Sequence, residues 1–331
     1  MRIAVIGAGA IGGATAAMAD RAGHDVAVTA RGAQLDALRT TGLDLTGAWG
    51  DHLAHPHATA ALDATPELAI LAVKAQDAPA ALAENAPFLE GVPLIVVQNG
   101  LGGAEAAAKQ LEGTPVIGAL ALYAASFLEP GRITITTGGA TYLGRLTDTP
   151  EAAFETAADT LRGILDTRLT ANFEGAQWTK LMVNHVNALP AITGLSVQQT
   201  IADHRLRAVL TASMQETIGV ARASGVHFES LLGLDDRLLR AVGRLPRALA
   251  QVLPLVMGRR MGATPNPGST LQSIRRGQRT EIDHLNGAVV AAAAAAGRRA
   301  PINEALVSLV HDVERTITFF TPDEVRAAIR L

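Results

Sequence analysis

The chain of 331 residues contains no cysteine. This excludes disulfides, a thiol nucleophile and thiolate metal sites, and it suits a reducing, cytoplasmic setting. Aromatic residues are scarce as well, at 3%. Cores must therefore be built from Ala, Val, Leu and Ile, with backbones in close approach where Ala and Gly meet. A large excess of one charge is also missing. The net charge is −3 and no long basic run occurs, so neither nucleic acid nor an anionic membrane is expected as a partner. Long hydrophobic runs are lacking too. Residues 288–296 form the most membrane-like stretch, well short of the roughly 20 apolar residues a spanning helix needs, and they read as a buried Ala-rich helix. The sequence opens directly on a strand-like pattern, residues 1–6, without the architecture of a secretory signal.

What is present is ample apolar material, 48% of residues, and a length that suggests two domains of ordinary size. Arg2–Ile6 and Asp25–Thr29 read as strands around an Ala-rich helix over residues 14–21. Further strands are expected at 68–73, 94–98, 116–122, 132–137 and 141–146, with helices at 78–86 and 104–111 between several of them. Short apolar runs alternating with helices predict a parallel sheet covered on both faces, an α/β domain of Rossmann type. After residues 169–173 helical spacing takes over. The expected division is a dinucleotide-binding domain over 1–170 and a mostly helical domain over 171–331, with the active site between them.

The first chemistry lies in Gly7-Ala8-Gly9-Ala10-Ile11-Gly12, directly after a strand and directly before a helix. A pyrophosphate needs backbone N–H groups aimed at it and a helix N-terminus behind it. Gly7 permits the tight turn, Gly9 lets the phosphates approach, and Gly12 allows helix to pack on strand. The second strand ends in Thr29-Ala30-Arg31, without the acid that usually holds the ribose 2′-hydroxyl in NAD sites. Arg31 could pair with a 2′-phosphate, which favours NADP(H), or it could be an ordinary solvated arginine. In residues 178–189, Lys180, Asn184 and Asn187 fall at i, i+4 and i+7, on one face of a single helix. They form either a polar functional stripe or a solvent-facing one, and spacing does not decide between these.

The residues as a set resemble the ketopantoate reductases. The opening glycine loop, Val73-Lys74, Gln98-Asn99-Gly100, Trp178-x-Lys180-Leu181-x-x-Asn184, Ser269-x-x-Gln272 with Arg279-Thr280-Glu281-Ile282-Asp283-x-x-Asn286-Gly287, and Pro301-x-Asn303 match that family's signatures in order. The resemblance implies NADPH-dependent hydride transfer to the C2 carbonyl of a 2-keto acid, with Lys180 as the proton donor. It places Lys74, Ala125 and Glu281 at the cofactor, Asn99 at both nicotinamide and substrate, and Asn184, Asn187 and Ser269 at the substrate. Two departures stand out: Ala188 occupies the place of the second asparagine, with Asn187 one residue earlier, and Ser273 replaces an aspartate. They leave open another 2-keto acid or an imine as substrate. A non-catalytic NADP-binding sensor would be expected to lack the lysine. A homodimer is compatible with the sequence but not fixed by it.

Ser269 and Glu281 are twelve residues apart, about 18 Å along a straight helix. Either Gly277 interrupts that helix or the two serve different parts of a long ligand; the roles implied by the resemblance favour the second. His52, His55 and His57 fit no common zinc spacing and are expected on a surface loop, so no metal is expected. His185 points about 100° away from Asn184 on a helix and reads as packing. Ser126, Ser196 and Ser273 lack a nucleophile elbow.

Overall fold

The computed structural model describes residues 1–262 and 265–331. The chain divides into two compact units, Met1–Phe173 and Glu174–Leu331.

In the first unit the order is β1 (Arg2–Ile6), α1 (Ala10–Arg21), β2 (Asp25–Thr29), α2 (Gly32–Thr40), β3 (Leu43–Gly47), β4 (His52–Ala54), β5 (His57–Thr59) and β6 (Leu68–Leu71). It continues through α3 (Ala78–Asn85), β7 (Leu94–Val97), α4 (Gly103–Gln110), β8 (Val116–Ala121), β9 (Ala124–Glu129), β10 (Arg132–Thr137), β11 (Thr141–Arg145), α5 (Glu151–Arg162) and β12 (Thr167–Thr170). Eight strands form one sheet in the order β12-β11-β8-β7-β6-β1-β2-β5. From β8 to β5 every pairing is parallel, whereas β11 runs antiparallel to β8. The central strands are buried end to end, as in the LAIL of β6 and the VIGALA of β8, because both faces of the sheet are covered. The chain leaves β1 for β2 on one side and returns to β6 on the other. Open α/β sheets hold their ligands at such a switch point, beyond the strands' C-terminal ends.

A second sheet, β4-β3-β10-β9, was not foreseen. It takes Arg132–Thr137, expected in the parallel sheet, as one of its inner strands. Its partners escape a reading by hydrophobic pattern because β3 and β9 are partly exposed and β4 has only three residues. This sheet explains the composition of α1. The helix packs on β1 and β2 on one side and on β3, β4, β9 and β10 on the other. Only small side chains fit there, and a Cβ on Gly13 would lie 3.0 Å from the Ile133 side chain.

Beyond α6 (Phe173–Asn184) the elements are α7 (Ala188–Thr193), α8 (Val197–Ala202), α9 (His204–Ala223), α10 (Asp236–Val242), α11 (Arg247–Ala250), α12 (Val252–Arg260), α13 (Gly268–Arg275), α14 (Asn286–Ala295), α15 (Pro301–Thr316) and α16 (Pro322–Ala328). The 20-residue α9 is packed by α8, α11, α12, α14, α15 and α16. Its first turn is capped by Asp203, whose carboxylate accepts from the Arg205 and Leu206 N–H groups. The apolar 288–296 stretch falls largely in α14, which is not fully buried as expected; Asn286, Val289 and Ala293 are its buried residues. Among the described residues no helix is long and apolar enough to cross a membrane.

A buried amide ties these helices together. Asn303 at the start of α15 accepts hydrogen bonds from Ser213 Oγ (2.8 Å) and Asn286 Nδ2 (2.9 Å) and donates to Glu216 Oε2 (2.7 Å). Glu216 also accepts from the backbone N–H groups of Ile302 and Asn303, so its charge meets the unpaired amides of a helix N-terminus.

Candidate active site

The glycine loop follows β1 at the switch point. Gly7 has φ +103°, and a Cβ there would lie 2.5 Å from Val73 Cγ1 after β6, so only glycine fits. A Cβ on Gly12 would stand 1.9 Å from the Gly7 carbonyl oxygen, so the close helix–loop packing requires glycine there. Gly9 differs, because no atom lies within 4 Å of where its Cβ would be. Gly9, Ala10 and Ile11 thus form an open helix N-terminus, with Ala8 behind it giving its N–H to the Thr29 carbonyl. Thr29 Oγ1 accepts from the Gly7 N–H (3.1 Å), and Gln34 Nε2 donates to the Ala8 carbonyl (3.0 Å). These residues fit a pyrophosphate.

Two further strand ends meet this loop. Lys74 follows β6 and Asn99 follows β7, both partly buried. Gln98 Nε2 donates to the Val73 carbonyl (3.2 Å), joining the two segments. Ala125 lies in β9 of the second sheet, partly buried against the first unit's core. Arg31 is the N-cap residue of α2, and its guanidinium pairs with Glu84 at the end of α3 at 2.5 Å.

In the second unit the expected continuous helix over 178–189 does not exist. It ends at Asn184, residues His185–Asn187 form a 3₁₀ turn, and α7 follows. A 3₁₀ turn eclipses positions i and i+3, so the tighter winding brings Asn187 into line with Asn184. The Asn184 Nδ2 is buried and has no hydrogen-bond partner, which suits a donor awaiting a ligand's oxygen. Asn187 faces the start of α13: a Cβ on Gly268 would lie 2.7 Å from its Oδ1. Ser269, the next residue, is exposed. The structure therefore brings Asn187 to the segment that carries Ser269.

Lys180 is partly buried in α6. Burial pulls its ammonium pKa down to about 8, while the Glu281 carboxylate acts in the opposite direction. Glu281 reaches it because α13 stops at Arg275 and Gly277 takes φ +65°. The helix that would carry both Ser269 and Glu281 is thus interrupted at Gly277, as the first of the two alternatives for that pair has it. His185 is buried, with Nδ1 donating to the Leu181 carbonyl (2.8 Å) and Nε2 bonded to Thr217 Oγ1 (2.6 Å); burial pulls its pKa to about 4.

The sequence holds one further signal, in its choice of basic residues. Of 28 Lys and Arg residues only Lys74, Lys109 and Lys180 are lysines. Arginine stays charged at any ordinary pH and cannot serve as a proton donor, so lysine is kept where its chemistry differs. The histidines expected on a loop lie in or between short strands instead. His52 of β4 pairs with Asp20 (2.8 Å) and His57 of β5 with Asp63 (2.7 Å). Ser196 caps α8 in a reciprocal bond with Gln199.

A glycine-lined helix end at the switch point of a parallel sheet, followed by a helical unit with a depressed lysine, defines the architecture of a dinucleotide-dependent reductase. Comparison with known proteins agrees. The family model described as "Ketopantoate reductase PanE/ApbA" matches residues 3–148, and its C-terminal counterpart matches residues 172–314. The chain belongs to the ketopantoate reductase family, a family of oxidoreductases. It is 28% identical to the 2-dehydropantoate 2-reductase of Pyrococcus horikoshii over 312 residues, 94% of this chain and 96% of that one. A PanE/ApbA family ketopantoate reductase from Ralstonia eutropha JMP134 superposes with a TM-score of 0.78 at 28% identity, covering 95% of this chain and 99% of the other. D-mandelate dehydrogenase, solved with NADH and anilino(oxo)acetate, shares the fold at a TM-score of 0.82 and 20% identity, with 96% and 99% coverage.

Proposed function

We propose that this protein reduces 2-dehydropantoate (ketopantoate) to pantoate with NADPH, using Lys180 as general acid. The observation that carries this reading is Lys180 standing one turn before the buried, unpartnered Nδ2 of Asn184 on α6, with burial lowering the lysine to about 8 and Glu281 opposing. A lysine so tuned is still protonated near neutrality yet gives up its proton far more readily than an exposed one. A bound nicotinamide dinucleotide supplies the hydride to the substrate's C2. Lys180 stabilises the negative charge that develops on the carbonyl oxygen and delivers the proton to it. The buried donor of Asn184 suits a carbonyl or carboxylate oxygen of the substrate, with Asn99, Asn187 and Ser269 as further polar partners.

On this reading the first unit holds the cofactor. Residues Gly7 to Gly12 take the pyrophosphate, Lys74, Asn99 and Ala125 line the site, and Glu281 is a further cofactor residue. Arg31 takes the 2′-phosphate, which requires its guanidinium to leave Glu84 or be shared with it. The absence of an acid after β2 supports NADP over NAD.

The test follows cofactor oxidation by absorbance with ketopantoate, pyruvate and 2-ketoisovalerate, with NADPH and NADH in turn. Turnover is expected with ketopantoate and NADPH. Tight NADPH binding without ketopantoate turnover would move the protein to another 2-keto acid or an imine. Lys180→Ala is expected to lower kcat by about 10²-fold or more while leaving the dissociation constant for NADPH largely unchanged. Undiminished turnover would remove the lysine from the mechanism.

A further inference from the structure

Glu281 lies in an irregular turn, anchored from within by the buried Ile282 and by its own carbonyl, which accepts from the His284 and Leu285 N–H groups. Between Gly277, which ends α13, and α14 the backbone makes only a 3₁₀ turn over Ile282–His284. From outside, the stretch is held by one face of α15. Glu314 Oε1 accepts the Thr280 N–H at 2.7 Å, immediately before Glu281. His311 Nε2 meets Asp283 Oδ1 at 2.9 Å, two residues after it. Glu314 and His311 are themselves joined, Oε2 to Nδ1, at 2.7 Å. The turn is thus gripped on both sides of Glu281 by one connected pair of side chains.

We propose that Glu314 and His311 are positioning residues that hold the 280–283 turn so that Glu281 keeps its place beside Lys180. Their effect on Lys180 passes through Glu281. The inference rests on the reading of Lys180 as the acid for its relevance to catalysis, though not for its geometry.

The charges agree with such a clamp. Both ring nitrogens of His311 face carboxylates, and only an imidazolium can donate to both at once. Burial works against that charge, but the bonds to Glu314 and Asp283 outweigh it and raise the histidine's pKa. Burial likewise pushes the Glu314 carboxyl up, and the Thr280 N–H and His311 more than reverse this. The cavity of about 430 Å³ beside the clamp is lined by these two residues together with Arg279 and Arg315, the other charged groups on that side. Solvent can therefore reach the imidazole.

The experiment titrates Lys180 directly. With only three lysines in the chain, full-length protein labelled at lysine Cε gives three resonances, assigned through Lys74→Arg and Lys109→Arg. Glu281→Gln is expected to lower the Lys180 midpoint by about one pH unit, the size expected for removing a nearby opposite charge. Glu314→Ala and the milder His311→Gln are expected to lower it in the same direction by a smaller amount. Glu281→Gln combined with Glu314→Ala should match Glu281→Gln alone, because the clamp acts on the lysine through Glu281. The proposal is overturned if the midpoint stays at the wild-type value in both clamp variants while the protein remains folded, or if the double variant shows the sum of the two shifts. Loss of the general-acid reading would appear elsewhere, as undiminished turnover in Lys180→Ala with these midpoints unaffected.

Discussion

At the scale of single residues, Lys180 makes the sharpest statement about pH. A general acid must enter the reaction protonated, and the Lys180 pKa is about 8. Turnover is therefore expected to be level on the neutral side and to fall as pH rises through about 8, one proton being lost. A profile of kcat against pH that stays flat to pH 10 would contradict this. The sequence could single out Lys180 by its place in a polar stripe, but not its tuning, which comes from burial and from a carboxylate a hundred residues further on. The same applies to Arg31. Its position after β2 was legible, while its partner Glu84 stands 53 residues away, a distance that no local pattern spans. His311 and Glu314 left no signal at all, since nothing in their spacing refers to Glu281.

Among elements, the long apolar strands and the helix behind the glycine loop were readable because each repeats a period over several residues. Three kinds of element were not. Strands of three residues, such as β4 and β5, carry no period; β9 is too exposed to show one; and the break after Asn184 changes only the winding, not the apolar pattern. Asn303 shows what an element junction can hide. In the sequence it is one member of a signature, yet in the structure it joins α9, α14 and α15 through three side chains. Asn303→Ala would leave Ser213 and Asn286 without their shared acceptor in the interior and take one of three donors from Glu216. A loss of about 2–4 kcal/mol is expected from chemical denaturation, with little change in cofactor affinity.

For the molecule as a whole, the two-part plan followed from the change of character near residue 171, whereas the second sheet did not. Each compact unit carries one tryptophan, Trp49 in the first and Trp178 in the second. With Trp49→Phe, fluorescence reports unfolding of the helical unit alone. That unit buries His185 with its pKa pulled to about 4. Between that value and the ordinary histidine value of 6.5, the unfolded chain binds a proton that the folded one refuses. Stability is thus fully present above 6.5 and declines as pH falls toward 4, by up to roughly 3 kcal/mol from this group. Denaturation midpoints measured at pH 7 and pH 5 should show the decline, and His185→Leu should flatten it.

The enclosure of α1 between two sheets bears on how its open end meets a ligand. A helix free on one face can fray or tilt at little cost, and an arriving anion must first bring its amides to order. Here the first turn cannot move without disturbing strands on both sides, so its unpaired amides keep their orientation whether or not an anion is bound. A phosphate docking at Gly9 finds its donors already immobile. Almost none of the attraction is then lost to restraining a loose loop.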